Sequence, residues 1–188
     1  MKKQYKKGFT LIELLIVIAL LGALAVGLLA ALDPFEQLKK GTDAGVRNTA
    51  IEFQGAYVRF YSIKNFGPGC KDSAGADAPC DGTNTAIDTG VDGVADPLST
   101  LPNTIKQIAD AGELKKDFIS LAGSGQLAKI FSNYVSSTQS ISVCFTPSSK
   151  SLQRDPNTKY NPDHTGALVT DGSCFTQGGT TACDYCIQ

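Results

Sequence analysis

A chain of 188 residues leaves room for one domain of about 150 residues once a membrane-length segment is set aside. Six cysteines, one His and no Trp suit a loop-rich exported domain and argue against a cytosolic metalloenzyme. The net charge of −1 hides four leading lysines (Lys2, Lys3, Lys6, Lys7); without residues 1–8 the balance is 13 basic against 18 acidic, so charge indicates no nucleic-acid partner.

The first element is a hydrophobic run. From Leu14 to Leu32 all 19 residues are Leu, Ile, Val, Ala or Gly. At about 1.5 Å per residue, a helix of that length covers roughly the 30 Å hydrocarbon core of a bilayer. The lysines in front keep the N-terminus in the cytoplasm, so the chain after Leu32 is expected outside. An ordinary secretory signal would share the lysines but carry a shorter apolar stretch, about 7 to 15 residues, and a small-residue cleavage site. Here the run passes directly into Asp33-Pro34 and a polar helix, so retention of the run is the preferred reading.

At the entrance stands Lys6-Lys7-Gly8-Phe9-Thr10-Leu11-Ile12-Glu13-Leu14-Leu15-Ile16-Val17-Ile18. This ordered segment resembles the processing and assembly signal of type IV pilins and pseudopilins. The resemblance implies a prepilin with residues 1–8 as a cleaved leader. It implies a prepilin peptidase cutting between Gly8 and Phe9, N-methylation of Phe9, and retention of 9–32 as the transmembrane and assembly helix. The implied protein is a non-enzymatic subunit, anchored by a single pass in the cytoplasmic membrane and then polymerised into an extracellular filament. Its implied partners are copies of itself, other pilins, the peptidase and the pilus assembly machinery.

Physical chemistry singles out Glu13 independently. It is the only charged residue between Phe9 and Leu32, and a carboxylate at full membrane depth costs about 2.5 to 3.5 kcal/mol. After cleavage the nearest cation is the Phe9 amine, one helical turn away. Pairing within one chain and pairing between neighbouring chains are both open, and the resemblance favours the second.

Residues 33–66 read as the amphipathic half of the long helix. Asp33-Pro34-Phe35-Glu36-Gln37-Leu38 resembles the membrane-exit segment of pilins. Pro34 either kinks one continuous helix, the preferred reading, or opens a second helix capped by Asp33. Phe35, Leu38, Val46, Ala50, Phe53, Tyr57 and Phe60 form an apolar stripe expected to pack on a sheet. Gly41, Gly45 and Gly55 are unusual in such a helix, at about 1 kcal/mol each relative to Ala.

Residues 67–188 form the head. Phe66-Gly67-Pro68-Gly69 ends the helix, and a long Gly/Asp/Thr/Pro-rich loop follows, for which Cys70 and Cys80 offer a staple. An amphipathic pattern through Ile105, Ile108, Leu114, Phe118 and Leu121 predicts helix, and Leu127 to Val135 predicts another. Ser140 to Thr146 alternates as a strand with Ile141, Val143 and Phe145 on one face. Ala167 to Thr170 and Ser173 to Thr176 flank Asp171-Gly172 as a predicted hairpin. The fold class is therefore α+β: a long N-terminal helix packed on a small antiparallel sheet with disulfide-stapled loops.

Cys183-Asp184-Tyr185-Cys186 is a C-x-x-C pair, the pattern of thiol oxidoreductases and of zinc sites. It lies at the C-terminal end of the sequence, and neither Cys70/Cys80 nor Cys144/Cys174 matches its spacing. Structural disulfides are preferred: Cys70 with Cys80, and Cys144 with one of Cys174, Cys183 and Cys186. Asp88, Asp92 and Asp96 carry a second reading as a calcium loop. Gly90 and Ser99 stand where ligands belong, so a solvated loop without cofactor is preferred. His164 sits in a turn-like stretch and reads as solvated. Beside the filament subunit stand three alternatives: a DNA-uptake or adhesion minor pilin, a secretion pseudopilin, and a membrane-tethered thiol oxidoreductase using Cys183 and Cys186.

Overall fold

The computed structural model describes residues 8–31, 33–80, 83–88, 93–135 and 138–188. Lys2, Lys3, Lys6, Lys7 and Leu32 lie outside the described residues. The chain divides into two units, Met1–Leu38 and Lys39–Gln188.

The first unit holds helix α1 (Leu11–Ala31) and the opening turn of α2 (Pro34–Lys64). The stretch Leu11–Leu29 is long and apolar enough to cross a membrane, and every one of its residues is exposed. A helix apolar on all sides and exposed along this stretch suits a surround of lipid or of other helices. The helix ends at Ala31 and a new one starts at Pro34, where the sequence favoured one kinked helix. The reason is local. Pro34 has no amide to donate, and Asp33 Oδ1 accepts the Glu36 amide at 3.2 Å, so Asp33 caps a fresh helix with proline at its first position. Phe35 and Leu38 are 73% and 69% exposed, so the apolar stripe reaches the core only from Val46 onward.

The second unit is built on a five-stranded antiparallel sheet of order β3-β4-β5-β7-β6. Two short strands, β1 (Cys70–Lys71) and β2 (Thr85–Ala86), pair separately. Then come β3 (Asp96–Pro97), the helices α3 (Pro102–Asp110), α4 (Phe118–Ala122) and α5 (Ser124–Leu127), and β4 (Phe131–Val135). After them follow β5 (Ser140–Phe145), α6 (Lys150–Gln153), β6 (Thr158–Tyr160) and β7 (Asp184–Ile187). Pro97 lies on an edge strand, where its missing amide breaks no ladder.

One face of this sheet packs on α2. Val46, Ala50, Phe53, Tyr57 and Phe60, at spacings of three and four, are buried with Ile105, Ile108, Ile141, Val143, Phe145 and Tyr185. Tyr57 meets Tyr134 at 5.8 Å between ring centroids, and Phe145 meets Tyr185 at 5.5 Å. The other face is covered by the segment around Thr165. Its carbonyl accepts hydrogen bonds from Asn133 Nδ2 (2.9 Å) and Ser142 Oγ (3.0 Å). Gly166 has φ +81°, and a Cβ there would lie 2.6 Å from Ser142 Oγ, so only glycine lets this cover sit down. Residues 141–145 are thus buried on both faces, where sequence predicted burial on one.

Two predicted elements differ. Residues 131–135 are strand β4, paired along its length with β5, where sequence predicted helix. The predicted hairpin at Asp171-Gly172 is absent among the described residues. Asp171 Oδ1 accepts the Ser173 amide at 3.0 Å, and residues 175–177 form a short 3-10 turn. Leu121 also lies outside the core, 66% exposed.

Polar groups pin the periphery. Gln107 Oε1 accepts the Gly69 amide at 2.7 Å, and its Nε2 donates to Asp77 Oδ1 at 2.8 Å, tying the stapled loop to α3. On α2, buried Asp43 accepts the amides and hydroxyls of both Ser148 and Ser149, at 2.6 to 3.1 Å. Burial pushes the Asp43 pKa up, but these hydrogen bonds outweigh it and leave the carboxyl below its ordinary value. A depressed folded-state pKa adds stability above the unfolded value, and that stability is lost as pH falls through the folded one. Asp43→Asn should therefore destabilise the domain by about 1.5 to 3 kcal/mol at neutral pH. Thermal melts of the two proteins should converge as pH drops below about 4; a gap independent of pH would assign the loss to packing instead.

Candidate functional site

The candidate site is the entrance to α1. Gly8, Phe9 and Thr10 are exposed and non-helical. Thr10 then begins the helix, its carbonyl accepting the Leu14 amide at 3.3 Å. Glu13 folds back onto it. The Thr10 amide and hydroxyl both donate to Glu13 Oε2, at 2.8 and 2.7 Å, while the Glu13 amide donates to Thr10 Oγ1 at 3.4 Å. This is a reciprocal Thr-x-x-Glu capping box, which satisfies helix-end amides that apolar surroundings would leave bare. The carboxylate also lies at the positive end of the helix dipole. Sequence reasoning weighed Phe9 as the partner of Glu13 and missed Thr10, although the four-residue signal is local.

Both donors from Thr10 go to one oxygen of Glu13. Among the described residues the other oxygen, Oε1, has no hydrogen-bond partner. The site therefore presents an exposed apolar rod with one carboxylate at its mouth, one oxygen of which is engaged by Thr10. Gly8 adds a second feature. A Cβ built there meets nothing within 4 Å, so no contact among the described residues calls for glycine at that position.

The six cysteines form three disulfides: Cys70–Cys80, Cys144–Cys186 and Cys174–Cys183. Cys183 and Cys186 therefore take different partners. The structure corrects the oxidoreductase alternative, because the C-x-x-C pair is not one dithiol. Three residues apart on an extended segment, the two sulfurs point to opposite sides. Cys186 lies directly opposite Cys144 in the β5–β7 register, and both are buried.

The calcium reading divides among the three aspartates. Asp92, with Gly90, lies outside the described residues. Asp88 turns to the start of α3, where Oδ2 accepts the Thr104 amide at 2.6 Å and Oδ1 accepts Asn103 Nδ2 at 3.0 Å. Those bonds cap a helix and compete with any cation for the same oxygens. Asp96 sits in β3 opposite Ser132.

His164 is not solvated as expected. Its ring stacks on Phe131 at 3.8 Å, and Nδ1 lies 2.5 Å from Oδ2 of fully buried Asp184. Asp184 Oδ1 accepts Thr146 Oγ1 at 2.7 Å. The trio fastens the cover segment to the sheet. His164 adopts φ +62°, and its partner is 20 residues away, so no local pattern announces it.

Residues 3–29 match the prokaryotic N-terminal methylation motif. The chain is 40% identical over 82 residues to the "Fimbrial protein EcpC" of Eikenella corrodens. That alignment covers 44% of this chain and 52% of the relative, so the chain spans about half the length of the curated protein it matches. No solved structure matches.

Proposed function

We propose that this chain, which belongs to the type IV pilin family, is a structural subunit of a pilus-like filament. Prepilin peptidase removes residues 1–8 by cutting between Gly8 and Phe9, and Phe9 is N-methylated. Residues 9–32 hold the subunit in the cytoplasmic membrane with the later residues outside, and the same segment then packs against other subunits. Copies of this chain, other pilins and the assembly machinery are its partners, and the final location is an extracellular filament.

The observation that carries this reading is the entrance of α1. An exposed apolar helix opens on one carboxylate held by Thr10, five residues after a glycine that no contact among the described residues requires. The glycine makes sense if an external reader, the peptidase, selects it. The carboxylate makes sense if a cation arrives there, since a lone charge among packed apolar helices is costly.

The test is the N-terminus of the chain isolated from its native membrane. A protein beginning at methylated Phe9 is expected. Gly8→Leu should leave the precursor uncut, reducing mature chain at least tenfold on a blot. A native protein beginning at Met1, or beyond Leu32, overturns the proposal.

A further inference from the structure

We infer that Thr10 is a positioning residue for the cut: its capping box starts α1 after Phe9 and keeps the Gly8–Phe9 bond outside the helix. The inference rests on the processing reading above and goes beyond it, because it assigns the conformation of the scissile segment to a side chain two residues downstream of the cut glycine.

A peptidase must reach the backbone groups flanking the bond it cleaves. In a helix those groups are already hydrogen-bonded and the bond is wrapped by neighbouring turns, whereas exposed extended segments are open to cleavage. In this chain the boundary between the two states falls at Thr10. Leu11 is the first helical residue, and Gly8 and Phe9 stand outside, exposed.

The sequence itself does not forbid a longer helix. Met1 to Lys7 contains no proline or glycine and is rich in lysine, a fair helix former, so Gly8 is the sole weak position upstream. The apolar run downstream is a strong nucleus from which a helix can propagate in both directions. The three hydrogen bonds between Thr10 and Glu13 are therefore the stop signal. Alanine at position 10 removes the cap and supplies the best helix former, so α1 can grow back through Phe9 and close over the scissile bond.

The experiment compares full-length precursors in membranes with purified prepilin peptidase, reading the initial rate of conversion by mass. Thr10→Ala should be cut more slowly than wild type, on the order of fivefold, as follows from the usual strength of an N-cap. Thr10→Ser and Thr10→Asn, which both cap helices well, should be cut at close to the wild-type rate. Asn lacks the hydroxyl and the methyl, so its rescue separates capping from direct recognition of threonine. Hydrogen exchange at the Ile12 amide, which gains the Gly8 carbonyl as its acceptor when the helix grows back through Phe9, should slow in Thr10→Ala and stay fast in the other two.

Thr10→Ala cut at the wild-type rate overturns the inference. So do Ser and Asn variants as slow as Ala, which would mean the peptidase reads threonine itself. Both results leave the processing reading intact. A wild-type chain not cut between Gly8 and Phe9 overturns both.

Discussion

Replacing Cys144 and Cys186 together with alanine should destabilise the head by about 4 kcal/mol, the largest loss among the three disulfides. The pair closes a loop of sequence separation 42, against 10 for Cys70–Cys80 and 9 for Cys174–Cys183. Loop-closure entropy rises with the logarithm of length, which puts the two shorter links at about 2.7 kcal/mol each. Position adds to the difference. Cys144–Cys186 joins the two strands that carry the buried face under Asp184, and the strand it secures, β7, is only four residues long. Cys70–Cys80 fastens a surface loop that Gln107 also holds. For a unit of 150 residues the larger loss corresponds to a fall of roughly 10 °C in melting temperature. Melts of the three double variants check the order. If the Cys144/Cys186 variant melts no lower than the Cys174/Cys183 variant, the link across β5 and β7 is not the main staple.

Legibility in the sequence followed the range of the interactions. The apolar rod, the α2 stripe from Val46 to Phe60 and the alternation of β5 are local patterns, and each forms as its period dictates. Strand β4 was misread for a physical reason. Leu127, Ile130 and Tyr134 sit at helical spacing, and Leu127 and Ile130 are indeed buried, but pairing with β5 overrides that period from Phe131 onward. Strand β7 is too short to show alternation, and its existence depends on β5, β6 and the bond to Cys144. The Asp171-Gly172 hairpin failed because Asp171 makes an Asx turn and Cys174 is drawn to Cys183. At the candidate site Gly8, Phe9 and Glu13 could be picked out directly. Thr10 could have been, since Thr-x-x-Glu ahead of an apolar run is a known start signal. His164–Asp184 and Asp43–Ser149 could not, because their members meet only once the sheet is built.

Glu13→Gln should abolish filaments while leaving the subunit inserted, cut and disulfide-bonded. Glutamine is nearly the same size and still completes a capping box with Thr10, so the start of α1 and the open Gly8–Phe9 bond should survive. What the substitution removes is charge. In the proposed assembly, the Glu13 oxygen that Thr10 does not engage receives the Phe9 amine of a neighbouring subunit, in a setting from which packed apolar helices exclude water. An amine left there without its counter-charge costs about 3 to 5 kcal/mol, and the penalty recurs at every subunit added. No other charged residue lies between Phe9 and Leu32 to take over. The variant should therefore accumulate as mature chain in the membrane fraction and enter filaments only in mixture with wild-type subunits. The measurement is a blot of sheared filaments and membranes side by side, with the N-terminus of the membrane pool sequenced. Thr10→Ala should give the opposite pattern, with slow cutting but normal filaments from whatever is cut. Normal filaments built from Glu13→Gln alone would show that the carboxylate does not direct assembly, and the role of the single charge in α1 would then be confined to capping its own helix.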